Sequence, residues 1–247
     1  FVSLFSWKDL TAIQLKEIAA GAVIGLVIAL GYGTQTIGLQ SISSSESAFL
    51  TALYVPLVPI LLWLLFRKTP QFMTWCGTVL AFLGLVFLTG NGFGAIQLSF
   101  GQIITLLGSV AIAMEIILIG FFAGKVNVRR VTVIQLGFAS IFAFCMMPLA
   151  GESWNPVFSW PLVIILTGLG FASAAIQLVM NWAQRAVDPA QAAIIYSGEP
   201  VWAALIGRIA GERLPLLAIL GGVLVVLGVI VSEWKPKFLK KNKEVNP

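Results

Sequence analysis

Glu199 and Glu115 are the residues of this chain best placed to do chemistry, because each stands inside a long apolar run. Glu199 lies in Tyr196-Ser-Gly-Glu-Pro-Val-Trp202, within the run 189–209, and Glu115 lies in Ala111-Ile-Ala-Met-Glu-Ile-Ile-Leu118. If these runs cross a bilayer, both acids fall near mid-span. A charge there costs several kcal/mol, so an intramembrane carboxylate has a partner, a proton or a task. Pro200 removes one backbone donor directly after Glu199. A carboxylate beside a broken helix is a recurrent way to build a site in a transport protein, and two such acids could pass protons along a pathway. The competing reading of each acid is a hydrogen-bonded glutamic acid that only packs helices.

Polar and aromatic residues recur at comparable depth: Thr34 and Gln35, Tyr54, Gln135, Gln177 with Asn181 and Trp182, and Tyr196. Amides inside lipid face neighbouring helices and hydrogen-bond across them. The same set could line a substrate cavity with aromatic walls and a few polar contacts. Glu46, in Ser43-Ser-Ser-Glu-Ser47, has the context of a helix N-terminus, with a serine cap and an acid in the first turn. Asp188-Pro189 has the same character, the aspartate as cap and the proline at the first helical position.

The elements that must position these residues follow from composition. The chain has 247 residues, of which 59% are hydrophobic and 10% charged, with a mean hydropathy of +0.98. A soluble domain carries about 25% charged residues. Eight apolar runs, 17–39, 44–66, 71–90, 98–123, 132–151, 160–182, 189–209 and 214–233, match the roughly 20 residues that a membrane helix needs. They lack the period-two alternation of a membrane β-barrel. The expected fold is an all-α polytopic bundle forming one integral membrane domain over 1–247. Cys76 and Cys145 both fall inside spans, and the chain has no histidine. That composition removes the usual zinc, haem and histidine-based catalytic arrangements, and it implies no cofactor and no metal centre. A serine nucleophile would lack an obvious base, which argues against an enzyme.

Basic residues sort by loop. Thirteen of the 15 Lys and Arg fall at the two termini or in the loops at 67–68, 125–130 and 185, leaving Arg208 and Arg213 on the other side. The positive-inside rule then places both termini in the cytoplasm. It turns the loops near Ser43, Gly92, Glu152 and Gly211 outward. The net charge of +5 is concentrated in Lys235-Pro-Lys-Phe-Leu-Lys-Lys-Asn-Lys243, so 234–247 reads as a basic cytoplasmic tail beside anionic lipid rather than a nucleic-acid contact.

A shift of 144 residues superposes about Gly38–Gly90 on Trp182–Trp234 without a gap. Gln40 meets Gln184, Ala48 meets Ala192, Pro56 meets Pro200, Gly77 meets Gly221 and Gly84 meets Gly228. The loop at Arg67-Lys68 is expected inside and its counterpart at Glu212-Arg213 outside, so the copies have opposite orientation. Residues 17–90 would be the remainder of a first inverted repeat and 98–233 a second. Pro56 and Pro59 are expected to break their helix as Pro200 breaks its own, and inverted repeats with such paired interruptions are a pointer to secondary transporters. Two spans, 98–123 and 132–151, precede the second copy without counterparts in the first. A five-plus-five design that lacks its first two helices accounts for this, with Phe1 to Trp7 as the end of a lost helix.

Gly31-Tyr-Gly-Thr-Gln-Thr-Ile-Gly-Leu-Gln40 followed by Ala48-Phe-Leu-Thr-Ala-Leu-Tyr-Val-Pro-Leu-Val-Pro59 resembles the third and fourth helices of EamA-type proteins of the drug/metabolite transporter superfamily. Ala193-Ile-Ile-Tyr-Ser-Gly-Glu-Pro-Val-Trp-Ala-Ala204, Gly211-Glu-Arg-Leu214 and a Gly-rich last helix resemble the ninth and tenth. The resemblance implies two inverted five-helix repeats, of which this chain looks like helices three to ten. It implies a secondary transporter in the bacterial inner membrane that exports a small metabolite or drug. Proton coupling would run through Glu199. A non-transporting membrane protein, or a degenerate fragment without the first two helices, is the competing reading.

Overall fold

In a computed structural model, each of the eight apolar runs is helical. The structure describes residues 12–67, 72–88, 98–147, 158–196, 198–213 and 215–233. The opening segment, the basic tail, the loops near Gly92 and Glu152, and Lys68, Ser197 and Leu214 lie outside the described residues. The helices are α1 (Leu15–Gly38), α2 (Ser44–Thr51), α3 (Tyr54–Phe66), α4 (Phe72–Leu88), α5 (Phe100–Phe122), α6 (Val128–Met146), α7 (Trp160–Ala183), α8 (Pro189–Tyr196), α9 (Glu199–Ile209) and α10 (Leu216–Glu233). Leu15–Gly38, Ser44–Phe66, Phe100–Phe122, Val128–Met146 and Trp160–Ala183 are long and apolar enough to cross a membrane, and shorter apolar helical stretches run over Trp75–Gly84 and Leu216–Val231. The chain is a polytopic helical membrane protein.

Local chemistry sets the helix ends. Ser43 accepts a hydrogen bond from the Glu46 N–H at 3.2 Å, which is the serine cap expected for α2. Asn127 Oδ1 accepts from the N–H groups of Arg129 and Arg130 at the start of α6. Ser159 caps α7, with a proline in the first turn. Pro189 opens α8. After α9 the chain reverses through Gly211, whose φ is +99°. The Glu212 N–H donates to the Gly207 carbonyl at 2.9 Å and the Gly211 N–H to that of Arg208 at 3.2 Å. This is a Schellman ending, and it requires a left-handed residue at Gly211.

Contacts divide the chain into two units. One comprises 1–33 and 114–189, the other 34–113 and 190–247. In the first, Ile24 and Ile28 of α1 pack with Ile119 of α5, supported by Ala139 of α6 and Met180 of α7. Glu17, near the start of α1, accepts from the Asn127 N–H at 3.2 Å and pairs with Arg130 at 3.4 Å, which ties α1 to the head of α6.

The second unit is organised by the crossing of α4 and α10. A Cβ added to Gly84 would stand 2.7 Å from both the Gly221 carbonyl oxygen and the Val225 nitrogen. One added to Gly228 would stand 2.6 Å from the Gly77 carbonyl oxygen and 2.7 Å from the Ala81 nitrogen. The two contacts interconvert under the 144-residue shift, which carries 77, 81 and 84 onto 221, 225 and 228. Lipid tails are as apolar as leucine, so membrane helices associate through such close backbone approach at small residues. Phe49 and Leu50 of α2 pack on Ala218 of α10, with Leu106 of α5 and Ala204 of α9 beside them.

Gly84→Ala and Gly228→Ala force backbone against backbone, and each is expected to cost about 1–3 kcal/mol. Thermal unfolding of purified protein in detergent should show similar losses for the two variants. An unchanged melting temperature in either would contradict the packing described.

Candidate functional site

The spans 44–66 and 189–209 are each interrupted, and at matching places. In the first, Ala52 and Leu53 form a turn between α2 and α3, and Pro56 follows in the first turn of α3. In the second, Gly198 lies between α8 and α9, and Pro200 sits in the first turn of α9. A proline there has no N–H to lose from an interior ladder, and it prevents the preceding segment from continuing as one helix.

The second break brings Glu199, Pro200 and Tyr196 together near Tyr54 of the first. Glu199 is the first residue of α9, where the helix dipole favours an anion. Its side chain is exposed while Pro200 is buried. Tyr54 is only 1% exposed, and it lies within electrostatic range of both Glu199 and Tyr196. Its hydroxyl has no hydrogen-bond partner among the described residues. A buried hydroxyl left unsatisfied costs about 1–3 kcal/mol, so the group is ready to bond to something that enters. Gln35 is half-buried on the last turns of α1.

A separate polar chain lies in the first unit. Gln177 Nε2 on α7 donates to Glu115 Oε1 on α5 at 2.7 Å. Gln135 Nε2 on α6 donates to Gln177 Oε1 at 2.8 Å. Asn181 Nδ2 donates to the Gln177 carbonyl at 2.9 Å. All four residues are buried, and Gln135 Oε1 has no partner among the described residues. Three helices are thereby joined at membrane depth by amide bonds to a carboxylate, the arrangement expected when polar groups cannot reach water. Trp182 is not part of it. It is 65% exposed and lines a groove with Arg129 and Arg185, the place of an interfacial aromatic.

Two carboxylate contacts escape sequence reasoning. Glu46 Oε1 accepts from Gln102 Nε2 of α5 at 2.6 Å, so it bridges helices as well as standing in a first turn. Glu212 caps α2 from 168 positions away. Its two oxygens accept from the Ser44 and Ser45 N–H groups at 3.0 and 3.1 Å and from their hydroxyls at 2.5 and 2.6 Å. The Ser44 and Ser45 hydroxyls, followed by the backbone donors, hold this carboxyl at about 2, below the ordinary glutamate range. The signal in the sequence is the Gly211-Glu212 pair: the glycine makes the turn that presents the acid to the orphan donors of α2.

The model of the EamA-like transporter family matches residues 1–90 and 99–234. The chain belongs to that family. It is 28% identical over 213 residues to an uncharacterized transporter of Archaeoglobus fulgidus, covering 85% of this chain and 67% of that one. It is 29% identical over 238 residues to the uncharacterized inner membrane transporter YedA of Escherichia coli K12, covering 92% of this chain and 75% of YedA. A solved crystal structure superposes with a TM-score of 0.61 at 18% identity, covering 100% of this chain and 84% of that one, a likeness of fold. The EamA fold is thus the frame that holds both polar groups.

Two outcomes are expected of these contacts. The Glu212 clasp stabilises the fold fully above the ordinary carboxyl range near 4.5 and loses that contribution as pH falls from there toward about 2. The melting temperature of wild type should therefore exceed that of Glu212→Gln at neutral pH, and the gap should close between pH 4.5 and about 2. A gap that is independent of pH would refute the assignment. Gln177→Leu removes both amide bonds of the buried chain and should cost about 1–2 kcal/mol, measured by the same melts. A neutral substitution would show that the chain does not join the helices.

Proposed function

We propose that this EamA-family protein is a secondary active transporter of a small metabolite or drug, working as an exporter in the bacterial inner membrane with both termini cytoplasmic. Glu199 is its coupling carboxylate. The observation that carries the proposal is the pair of helix breaks, at 52–53 and at Gly198, the second of which is followed directly by Glu199. Interrupted helices at corresponding places in two repeats put exposed backbone ends and their dipoles at membrane depth, where a transported molecule is held.

In this reading, Tyr54 and Tyr196 supply a hydroxyl-bearing aromatic wall beside Glu199, and Pro56 and Pro200 keep the two breaks open. Substrate and proton compete for, or share, the Glu199 carboxylate, so loading from one side is linked to release on the other. Glu115, Gln135, Gln177 and Asn181 form a second candidate polar group. Gln135 Oε1 offers an acceptor to a substrate donor. Gln35, half-buried on α1, is a further candidate contact, and Trp182 lies outside the buried amide chain. Membership of a transporter family supports the reading, as does the transporter name of each relative.

The test is proton movement in proteoliposomes loaded with a pH-sensitive dye, screened with amino acids, small metabolites and cationic dyes. Wild type should move protons with one compound class. Glu199→Gln should lower that flux to the empty-vesicle level while keeping its melting temperature. Full flux in the mutant would remove Glu199 from the coupling step.

A further inference from the structure

A groove of about 690 Å³ opens along the second unit between α9 and α10, with Phe49 of α2 among the residues that line it. Its apolar wall on α10 includes Leu216, Ile219, Val223 and Leu227, which recur at helical spacing on one face. From Leu216 to Leu227 the helix rises about 16 Å, half of a hydrocarbon core of about 30 Å. The groove is therefore one leaflet deep. Exposed apolar residues are ordinary on a membrane protein. Here the concavity ends in a mouth that carries both signs of charge.

Arg208 and Glu212 stand at that mouth, beside the turn that ends α9. Arg208 is exposed and has no ion-pair or hydrogen-bond partner among the described residues. Glu212 is held by Ser44 and Ser45, which fixes its carboxylate without neutralising it. The mouth thus presents one cation and one anion that are not paired with each other, above an apolar slot of acyl-chain depth. A headgroup that complements both signs carries a phosphate and an ammonium.

We propose that this groove is a binding site for a zwitterionic phospholipid with an ethanolamine headgroup. Its phosphate lies on Arg208, its ammonium lies toward Glu212, and one acyl chain runs along Leu216 to Leu227. The site is distinct from Glu199 and does not depend on the transport reading. An arginine guanidinium matches phosphate through paired N–H donors, and the buried chain supplies the affinity as it does for membrane anchors.

The experiment is native mass spectrometry of the purified full chain, exchanged into detergent with equal phosphatidylethanolamine and phosphatidylglycerol. Wild type should retain one phosphatidylethanolamine in preference to phosphatidylglycerol. Arg208→Ala should lower that retention about tenfold. Val223→Trp, which fills the slot and leaves the headgroup residues untouched, should lower it as far. Melting temperatures checked alongside separate lost binding from lost folding. Equal retention of the two lipids, unchanged retention in either variant, or a second copy of the chain in place of lipid would each overturn the proposal.

Discussion

Where α4 crosses α10, the backbone at Gly84 lies against the Gly221 carbonyl and the backbone at Gly228 lies against that of Gly77. In water such a crossing could be held by burying larger side chains. In lipid that gain is absent, and contact between backbones at small residues takes its place. Much else in the second unit builds on this crossing. Phe49 lies over Gly222, where a Cβ would strike its ring, and α2 is thereby fixed against α10. The Schellman turn at Gly211 then brings Glu212 to the head of α2. The acid satisfies N–H groups that the helix itself leaves open.

This close crossing contrasts with the interruptions in the two broken spans. Each broken span gives up helical continuity at a place where its proline has already removed a donor. Broken helices at membrane depth are tolerated only where the freed groups meet protein or line a cavity. The first break meets that constraint within the chain: the N–H groups of Ala52, Leu53, Val55 and Leu57 donate to the carbonyls of Ala48, Leu50, Ala52 and Leu53. The first unit meets the same constraint differently, by closing Glu115, Gln177 and Gln135 into a chain of bonds across three helices.

The helices were legible because long apolar runs have few alternatives in a chain this poor in charge. The breaks were legible in part: Pro56 and Pro200 coincide under the same shift as the glycines and each follows a break, whereas Pro59 lies inside α3 without ending it. The partners of the polar residues were less so. That Glu115, Gln135, Gln177 and Asn181 lie inside spans follows from position, but which of them touch depends on how three helices cross. Trp182 shows a signal that was present and outweighed: adjacent residues on a helix point about 100° apart, so Trp182 could not share the face of Asn181. Glu212 shows the opposite case. Its motif is visible, yet its partners Ser44 and Ser45 are 168 and 167 positions distant, and no local rule connects them.

The two halves related by the 144-residue shift are expected to run in opposite directions through the membrane. Single cysteines at Arg67 and Arg213, in a background with Cys76 and Cys145 replaced, test it when intact cells are treated with a membrane-impermeant thiol reagent. Opposite orientation gives labelling at 213 and protection at 67 until the cells are opened. Labelling of both positions from outside, or of neither, would contradict it.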